Sequence, residues 1–149
     1  MKYLFLLSAI IISLSCGKAT ETGCTPNPVA NEKAAMIAFA NSNNITYTEH
    51  SSGILYEIMN AGTGATLTLA STVSAVYTGK LMSGTTFDAR ATPISFPLSG
   101  VIEGWKIGIP LIKAGGRIKL IIPSALAYSC VGRNSIPPNS PLYFDVTVQ

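Results

Sequence analysis

The side chains that ordinarily carry covalent or acid–base chemistry are scarce in this chain. His50 is the single histidine and lies in the polar stretch YTEHSSG. The seven carboxylates, Glu21, Glu32, Glu49, Glu57, Asp88, Glu103 and Asp145, are dispersed and form no evident acid/base pair. No G-x-S-x-G elbow presents a serine, no glycine-rich loop cradles phosphate, and no dinucleotide fingerprint occurs. Cys16, Cys24 and Cys130 have no metal-ligand spacing, so neither a metal nor a cofactor is expected. The chain is rich instead in aromatic and aliphatic residues, grouped in VYTGKLMSGTTFDAR, ISFPLSGVIEGW, LAYS and SIPPNSPLYFDV. Its one tryptophan, Trp105, stands in VIEGWKIGIP. Taken alone, it is core filler, a membrane-surface anchor or the floor of a pocket. A reaction run by such residues needs a dry surface and little acid–base chemistry.

The elements that would hold these residues can be read from hydrophobic period. After Ser52-Gly53 the period is two: Ile54, Tyr56 and Ile58 share a face, as do Val73, Ala75 and Tyr77. The same alternation groups Ile118, Leu120 and Ile122, and later Leu142, Phe144, Val146 and Val148. These read as strands half buried against one core, punctuated by the turns NAGTG, MSGTTF and KAGGR. Helical signal there is confined to Gly104–Ile112, and Pro110 trims it. The expected fold is α+β, a strongly bent antiparallel sheet wrapped around one short helix. A separate alanine-rich run, NEKAAMIAFANSN, predicts an N-terminal helix. Asn31 would cap it, Ala35, Ile37, Ala38 and Phe39 would form its apolar stripe, and Asn41, Asn43 and Asn44 would end it. It is either packed on the domain or a stalk.

Composition narrows the function classes. At 149 residues there is room for one domain of ordinary size. Hydrophobic residues make up 48% and charged residues 11%, with a net charge of +3, too little for a nucleic-acid footprint. The opening MKYLFLLSAIIISLSC has one lysine, an apolar run from Tyr3 to Ile12, small residues and then Cys16. The run is too short to span a bilayer and fits a signal peptide. Its end resembles a bacterial lipobox, which implies cleavage before Cys16, lipidation of that thiol, and a membrane-anchored lipoprotein facing the periplasm or the cell surface. The expected organisation is a signal peptide over 1–15, a flexible linker over 16–28, the helical segment over 29–46 and the main domain over 47–149. Export leaves Cys24 and Cys130 as an even pair in an oxidising compartment, expected to form a disulfide, with two free thiols as the alternative.

From about Gly53 to Gln149, the apolar groups resemble the FKBP-type peptidyl-prolyl cis–trans isomerases. Y-T-G-x-L, G-x-x-F-D, V-I-x-G-W, A-Y, I-P-P-N and F-D-V occur in that family's order and at nearly its spacing. The resemblance implies an isomerase whose catalytic residues are Tyr77, Asp88, Ile102 (through its backbone N–H) and Tyr128. It implies a proline pocket formed by Phe87, Phe96, Val101, Trp105, Ile136 and Phe144, with Trp105 as its floor. Each of these aromatics could equally be ordinary core. The partners so implied are proline-containing polypeptides and macrolide inhibitors, with no nucleic acid, for a monomer tethered by its lipid. A non-catalytic binding module of the same fold, or a structural surface lipoprotein, is the competing reading. Ser129 follows Tyr128 where the family commonly has glycine, so the backbone there is expected to differ.

Overall fold

A computed structural model describes residues 23–149, so the leader, the lipobox-like Cys16 and the start of the linker lie outside the described residues. In chain order the elements are α1 (Val29–Ser42), β1 (Thr48–Glu49), β2 (Leu55–Asn60), β3 (Thr72–Leu81), β4 (Thr86–Pro97), α2 (Glu103–Gly108), β5 (Arg117–Ile122) and β6 (Leu142–Val148). The strands form one antiparallel sheet in the order β1-β2-β5-β6-β3-β4. One short helix, α2, packs on it, and a 3-10 turn over Ile109–Leu111 containing Pro110 follows directly. This is the α+β architecture expected from the periodicity. No described helix is long and apolar enough to cross a membrane.

The inner face carries the alternating residues anticipated above except Ile58, which is exposed near the end of β2. Val73, Ala75, Ile118, Leu120, Ile122, Leu142, Phe144, Val146 and Val148 are buried in one cluster with Trp105 and Ile109 of the α2 region. Two glycines one helical turn apart let α2 come this close. A Cβ on Gly104 would lie 2.4 Å from Ile122 Cγ2, and one on Gly108 2.6 Å from Leu120 Cδ2. The helix backbone therefore rests directly on β5, which sets the depth of Trp105.

The expectation of a single core was incomplete. Leu55, Ile121 and Tyr143 are register partners across β2, β5 and β6 and point to the outer face. With Met36, Phe39, Ala40 and Ile45 they form a second buried cluster. Tyr143 is buried there, and desolvation pushes its hydroxyl up to about 12. Two residues further along, the same three strands present Glu57, Lys119 and Asp145. Lys119 Nζ donates to Glu57 Oε2 at 2.9 Å, which holds the Glu57 carboxyl below the usual range, and Arg117 bonds Asp145 through two nitrogens. The outer face thus carries its buried apolar cluster where α1 covers it, beside a row of paired charges.

Helix α1 is therefore no stalk. Its details differ from the sequence reading in two ways. It begins at Val29 after Pro28, so Asn31 lies inside the helix and does not cap it, because Pro28 already fixes an extended entry. Its buried face is Glu32, Met36, Phe39 and Ala40, while Ala35 and Ala38 face solvent. The stripe follows spacings of four and three, with Met36 and Phe39 supplying most of its bulk and Ala40 packed beside them. Asn43 and Asn44, the latter at a φ of 52°, end the helix as anticipated.

Cys24 and Cys130 are bonded, with Cα atoms 5.3 Å apart. Asn139 strengthens the same junction, its Oδ1 accepting from Asn27 N–H at 3.0 Å. The bridge closes a loop of 106 residues, long enough for an entropic contribution of about 4–5 kcal/mol. The double variant Cys24→Ser/Cys130→Ser should lower the unfolding free energy by about 2–4 kcal/mol in denaturant titration. A chain whose midpoint is unmoved by reductant would contradict this.

Candidate active site

All ten residues singled out for the pocket line one cavity of about 520 Å³. Three strands, α2 with the turn before it, and the loop after β5 supply them. Strand β3 contributes Tyr77 and β6 contributes Phe144, each on the inner face. The turn before α2 contributes Val101 and Ile102, and the first turn of α2 contributes Trp105. The loop between β5 and β6 contributes Tyr128 and Ile136.

Strand β4 has to solve a geometric problem, since neighbouring strand residues point to opposite faces. Phe87 and Asp88 are adjacent, yet both line the cavity. The register explains this. Gly79 pairs with Asp88 and Lys80 with Thr86, leaving Phe87 as an unpaired bulge that turns its ring inward. Gly79 makes room for it, because a Cβ there would lie 2.7 Å from Phe87 Cζ and 2.9 Å from Phe144 Cε1. Further along, Ala75 pairs with Ile94 and Tyr77 with Arg90, so β4 carries two extra residues at that point. An even insertion preserves alternation, and Asp88, Arg90, Ile94 and Phe96 all face the cavity.

Among the described residues Trp105 is the most enclosed aromatic but one, at 5% exposure beside Phe144 at 4%. Its ring meets Tyr77 at 5.1 Å and Phe144 at 5.2 Å, both edge to face, and Phe96 at 5.5 Å. Core and pocket wall are therefore the same residue here. Its Nε1–H is buried without an acceptor among the described residues, and such orphan donors are uncommon outside functional sites. Phe87 stands edge-on to Phe144 at 5.5 Å.

Polar side chains on Tyr77, Asp88, Arg90, Tyr128, Arg133, Asn134 and Ser135 share the lining with the aromatic rings. Tyr77 Oη donates to Asp88 Oδ2 at 2.6 Å, and Arg90 Nε lies 3.9 Å from Asp88 Oδ1. Desolvation, with the Asp88 hydrogen bond second, raises the Tyr77 hydroxyl above the ordinary tyrosine range. The Ile102 N–H donates to no acceptor among the described residues, while its carbonyl accepts from Trp105 and Lys106 N–H. The Arg133 guanidinium sits 5.6 Å over the Tyr128 ring.

The backbone around Tyr128 does not depart from a glycine-like path. Ser129 adopts a φ of 51°, the left-handed conformation that glycine takes without cost. Its N–H donates to Ser124 O and its carbonyl accepts from Asn139 N–H, and the two bonds hold a serine in that position.

Arg90, Ile94, Gly100, Arg133, Asn134 and Ser135 also line the cavity and were not anticipated. The period-two frame through Asp88 and Phe96 contains Arg90 and Ile94, so that signal was available. The loop residues Arg133–Ser135 carry no periodic signal at all.

Residues 64–149 match the sequence model of the family described as FKBP-type peptidyl-prolyl cis-trans isomerase. The FKBP-type peptidyl-prolyl cis-trans isomerase FkpA of Escherichia coli K12 is 48% identical over 99 residues, covering 64% of this chain and 37% of that protein. A probable FKBP-type isomerase of Haemophilus influenzae is 44% identical over 114 residues, covering 74% of this chain and 46% of its own length. The chain thus spans less than half the length of these two relatives. The crystal structure of E. coli FkpA superposes with a TM-score of 0.71 at 39% identity, over 80% of this chain and 59% of that one. A peptidyl-prolyl cis-trans isomerase from Pseudomonas syringae pv. tomato gives 0.68 at 30% identity, over 83% of this chain and 96% of its own. Motif order, sheet topology and these likenesses agree, and the chain belongs to the FKBP-type peptidyl-prolyl cis-trans isomerase family.

Proposed function

We propose that this chain accelerates cis–trans isomerisation of Xaa-Pro bonds in exported proteins. The observation that carries the reading is the cavity itself: aromatic walls around Trp105, with Asp88 as the single lining carboxylate and that group engaged by Tyr77. An Xaa-Pro bond prefers trans by only about 0.5–1 kcal/mol, but a barrier of roughly 18–20 kcal/mol from amide resonance separates the isomers. Rotation breaks that resonance and removes the charge separation of the planar amide. The aromatic wall around Trp105 solvates the planar, more polar ground state poorly and so narrows the gap to the twisted state.

The proposed roles follow from position. Trp105 supports the proline ring from below, with Phe96, Val101, Ile136 and Phe144 around it. Phe87 fills the bulge side of the wall. The Ile102 N–H, lacking an acceptor of its own, donates to a substrate carbonyl, and Tyr128 O–H holds the neighbouring carbonyl as it rotates. Asp88 keeps Tyr77 oriented and neutral at the edge of the ring. Each tenfold of acceleration requires about 1.4 kcal/mol of differential binding, so a few such contacts are enough for several powers of ten.

For location, we infer an exported lipoprotein anchored through Cys16, supported by the leader MKYLFLLSAIIISLSC and consistent with a disulfide in the described part. The clients are then proline-containing polypeptides outside the cytoplasm, and macrolides that mimic them are candidate inhibitors. Cys16→Ser should move the chain from the membrane fraction to the soluble fraction on centrifugation; unchanged sedimentation would remove the anchor.

Exchange of a short Ala-Xaa-Pro-Phe peptide, followed by NMR, tests the activity. The chain should raise the exchange rate, and Trp105→Ala and Asp88→Ala should each lower kcat/KM by about tenfold or more while remaining folded. Peptide binding without acceleration would make the chain a binding module only.

The Tyr77–Asp88 pair has its own signature. Burial and the adjacent carboxylate favour the neutral phenol, so Tyr77 ionises above its ordinary value of 10.0. Its contribution to stability is complete below pH 10 and is lost as pH rises through the folded value. Asp88→Ala should shift the Tyr77 titration downward, though not to the ordinary value, because desolvation is the larger cause. A ring-NMR titration in which Asp88→Ala leaves Tyr77 unmoved would refute the coupling.

A further inference from the structure

Among the described residues Glu32 is the only buried acidic one, at 3% exposure, and it lies on α1, outside the segment that matches the family. Its carboxylate makes no ion pair among the described residues. Instead it accepts two hydrogen bonds from one residue, Ser124: the backbone N–H at 2.7 Å to Oε2 and the hydroxyl at 2.5 Å to Oε1. Ser124 is itself fully buried. A carboxylate withdrawn from water needs such compensation, and charge-assisted bonds to it are about twice as strong as neutral ones.

Ser124 heads the turn that leads to the cavity. Its carbonyl accepts the N–H of Ala127 at 2.9 Å and the N–H of Ser129 at 2.8 Å. Those two bonds bracket Tyr128 and hold Ser129 at its left-handed φ. The Tyr128 carbonyl then accepts from Gly132 N–H, and the Ser129 carbonyl from Asn139 N–H, carrying the same frame into the rest of the loop. Both ends of Ser124 are therefore committed, its N–H and hydroxyl to Glu32 and its carbonyl to the residues flanking Tyr128.

Docking of α1 does not require this carboxylate. Met36, Phe39 and Ala40 bury the helix against Leu55, Ile121 and Tyr143 one to two turns further on. An apolar residue at position 32 would extend that face without burying a charge. The position is instead occupied by a group whose only described partners belong to the Tyr128 turn.

We propose that Glu32 is a positioning residue for the isomerase site: through Ser124 it fixes the turn that aims Tyr128 into the cavity. Helix α1 is thereby part of the active-site scaffold. The inference rests on the isomerase reading of the cavity, but the geometry of Tyr128 can be read without any turnover.

The test uses the full chain as wild type, Glu32→Ala, Glu32→Gln and Met36→Ala, at a temperature where circular dichroism shows all of them folded. Two quantities are measured: kcat/KM on an Xaa-Pro peptide, and the ring resonances of Tyr128 in tyrosine-labelled protein, assigned with Tyr128→Phe. Glu32→Ala should lower kcat/KM at least fivefold and shift the Tyr128 resonances. Glu32→Gln, which retains an acceptor for the Ser124 N–H, should recover most of both. Met36→Ala trims the apolar packing of the same helix but leaves both Glu32–Ser124 hydrogen bonds in place, and should match wild type in both. If Glu32→Ala does not fold, Ser124→Ala replaces it with the same expectation, since it removes one of the two bonds. Unchanged kcat/KM and resonances in Glu32→Ala would overturn the proposal, as would an equal loss in Met36→Ala. Absence of isomerase activity in the wild type would remove the functional reading, and the Tyr128 resonances would then decide the positioning on their own.

Discussion

The structure depends on the close approach of α2 to β5, backbone against side chain. Gly104 and Gly108 face Ile122 and Leu120 with no room for a Cβ. Interiors are packed to crystal-like density, so moving the helix outward by the width of a methyl group would open a void along its length. It would also lift Trp105 away from Tyr77, Phe96 and Phe144. Those ring contacts, at 5.1–5.5 Å, are at once the centre of the inner core and the wall of the cavity. Stability and site geometry therefore have a common origin. The cavity survives because its lining is tied down from behind by core contacts that cannot relax inward.

A second constraint comes from β4, which turns two neighbouring residues, Phe87 and Asp88, toward the same cavity. The bulge at Phe87 adds one inward side chain, and the even insertion near Ala91–Pro93 bends the strand without reversing its alternation. Pro93 is tolerated because β4 lies at the sheet edge, where the missing N–H would have had no strand to bond. Gly79 on the facing strand then accounts for the glycine in Y-T-G. It is the gap into which Phe87 and Phe144 fit, so the glycine and the phenylalanine of G-x-x-F-D are two halves of one contact.

Much of this was legible in the sequence, for identifiable reasons. Strands β2, β3, β5 and β6 announce themselves because one face is buried and the period is two. The short helix shows through Gly104, Trp105 and Pro110. The ten cavity residues were found through motif order, which is non-local information that no periodicity contains. The outer cluster was hidden. Leu55, Ile121 and Tyr143 sit at positions that a one-core reading assigns to solvent, and only the pairing of three distant strands puts them in one row. The face of α1 was misjudged for a related reason: alanine satisfies any helix pattern, so the sequence could not tell which stripe would meet the sheet. Glu32 left no signal whatever. A glutamate in the first turn of a helix reads as a favourable charge at the dipole's positive end, and Ser124, its partner, is 92 residues away.

Three unlike contacts join the segment before the sheet to the single loop carrying Tyr128: a disulfide to Cys130, an amide to Asn139 and a carboxylate to Ser124. Loops are where chains ordinarily keep their mobility, and a binding loop with few apolar contacts would sample many conformations. This loop holds four residues at positive φ, Ser129, Gly132, Asn134 and Asn139, of which Ser129 bears the clearest cost and needs fixing from outside. The contacts from the N-terminal side supply that fixation at its beginning, its middle and its end. Preorganisation of this kind lowers the ordering cost that a bound peptide would otherwise have to meet. It also explains why the helix and the strap preceding it are tied into the fold although the matched family segment begins only at residue 64: they hold the loop that carries Tyr128 and Ile136 into the cavity.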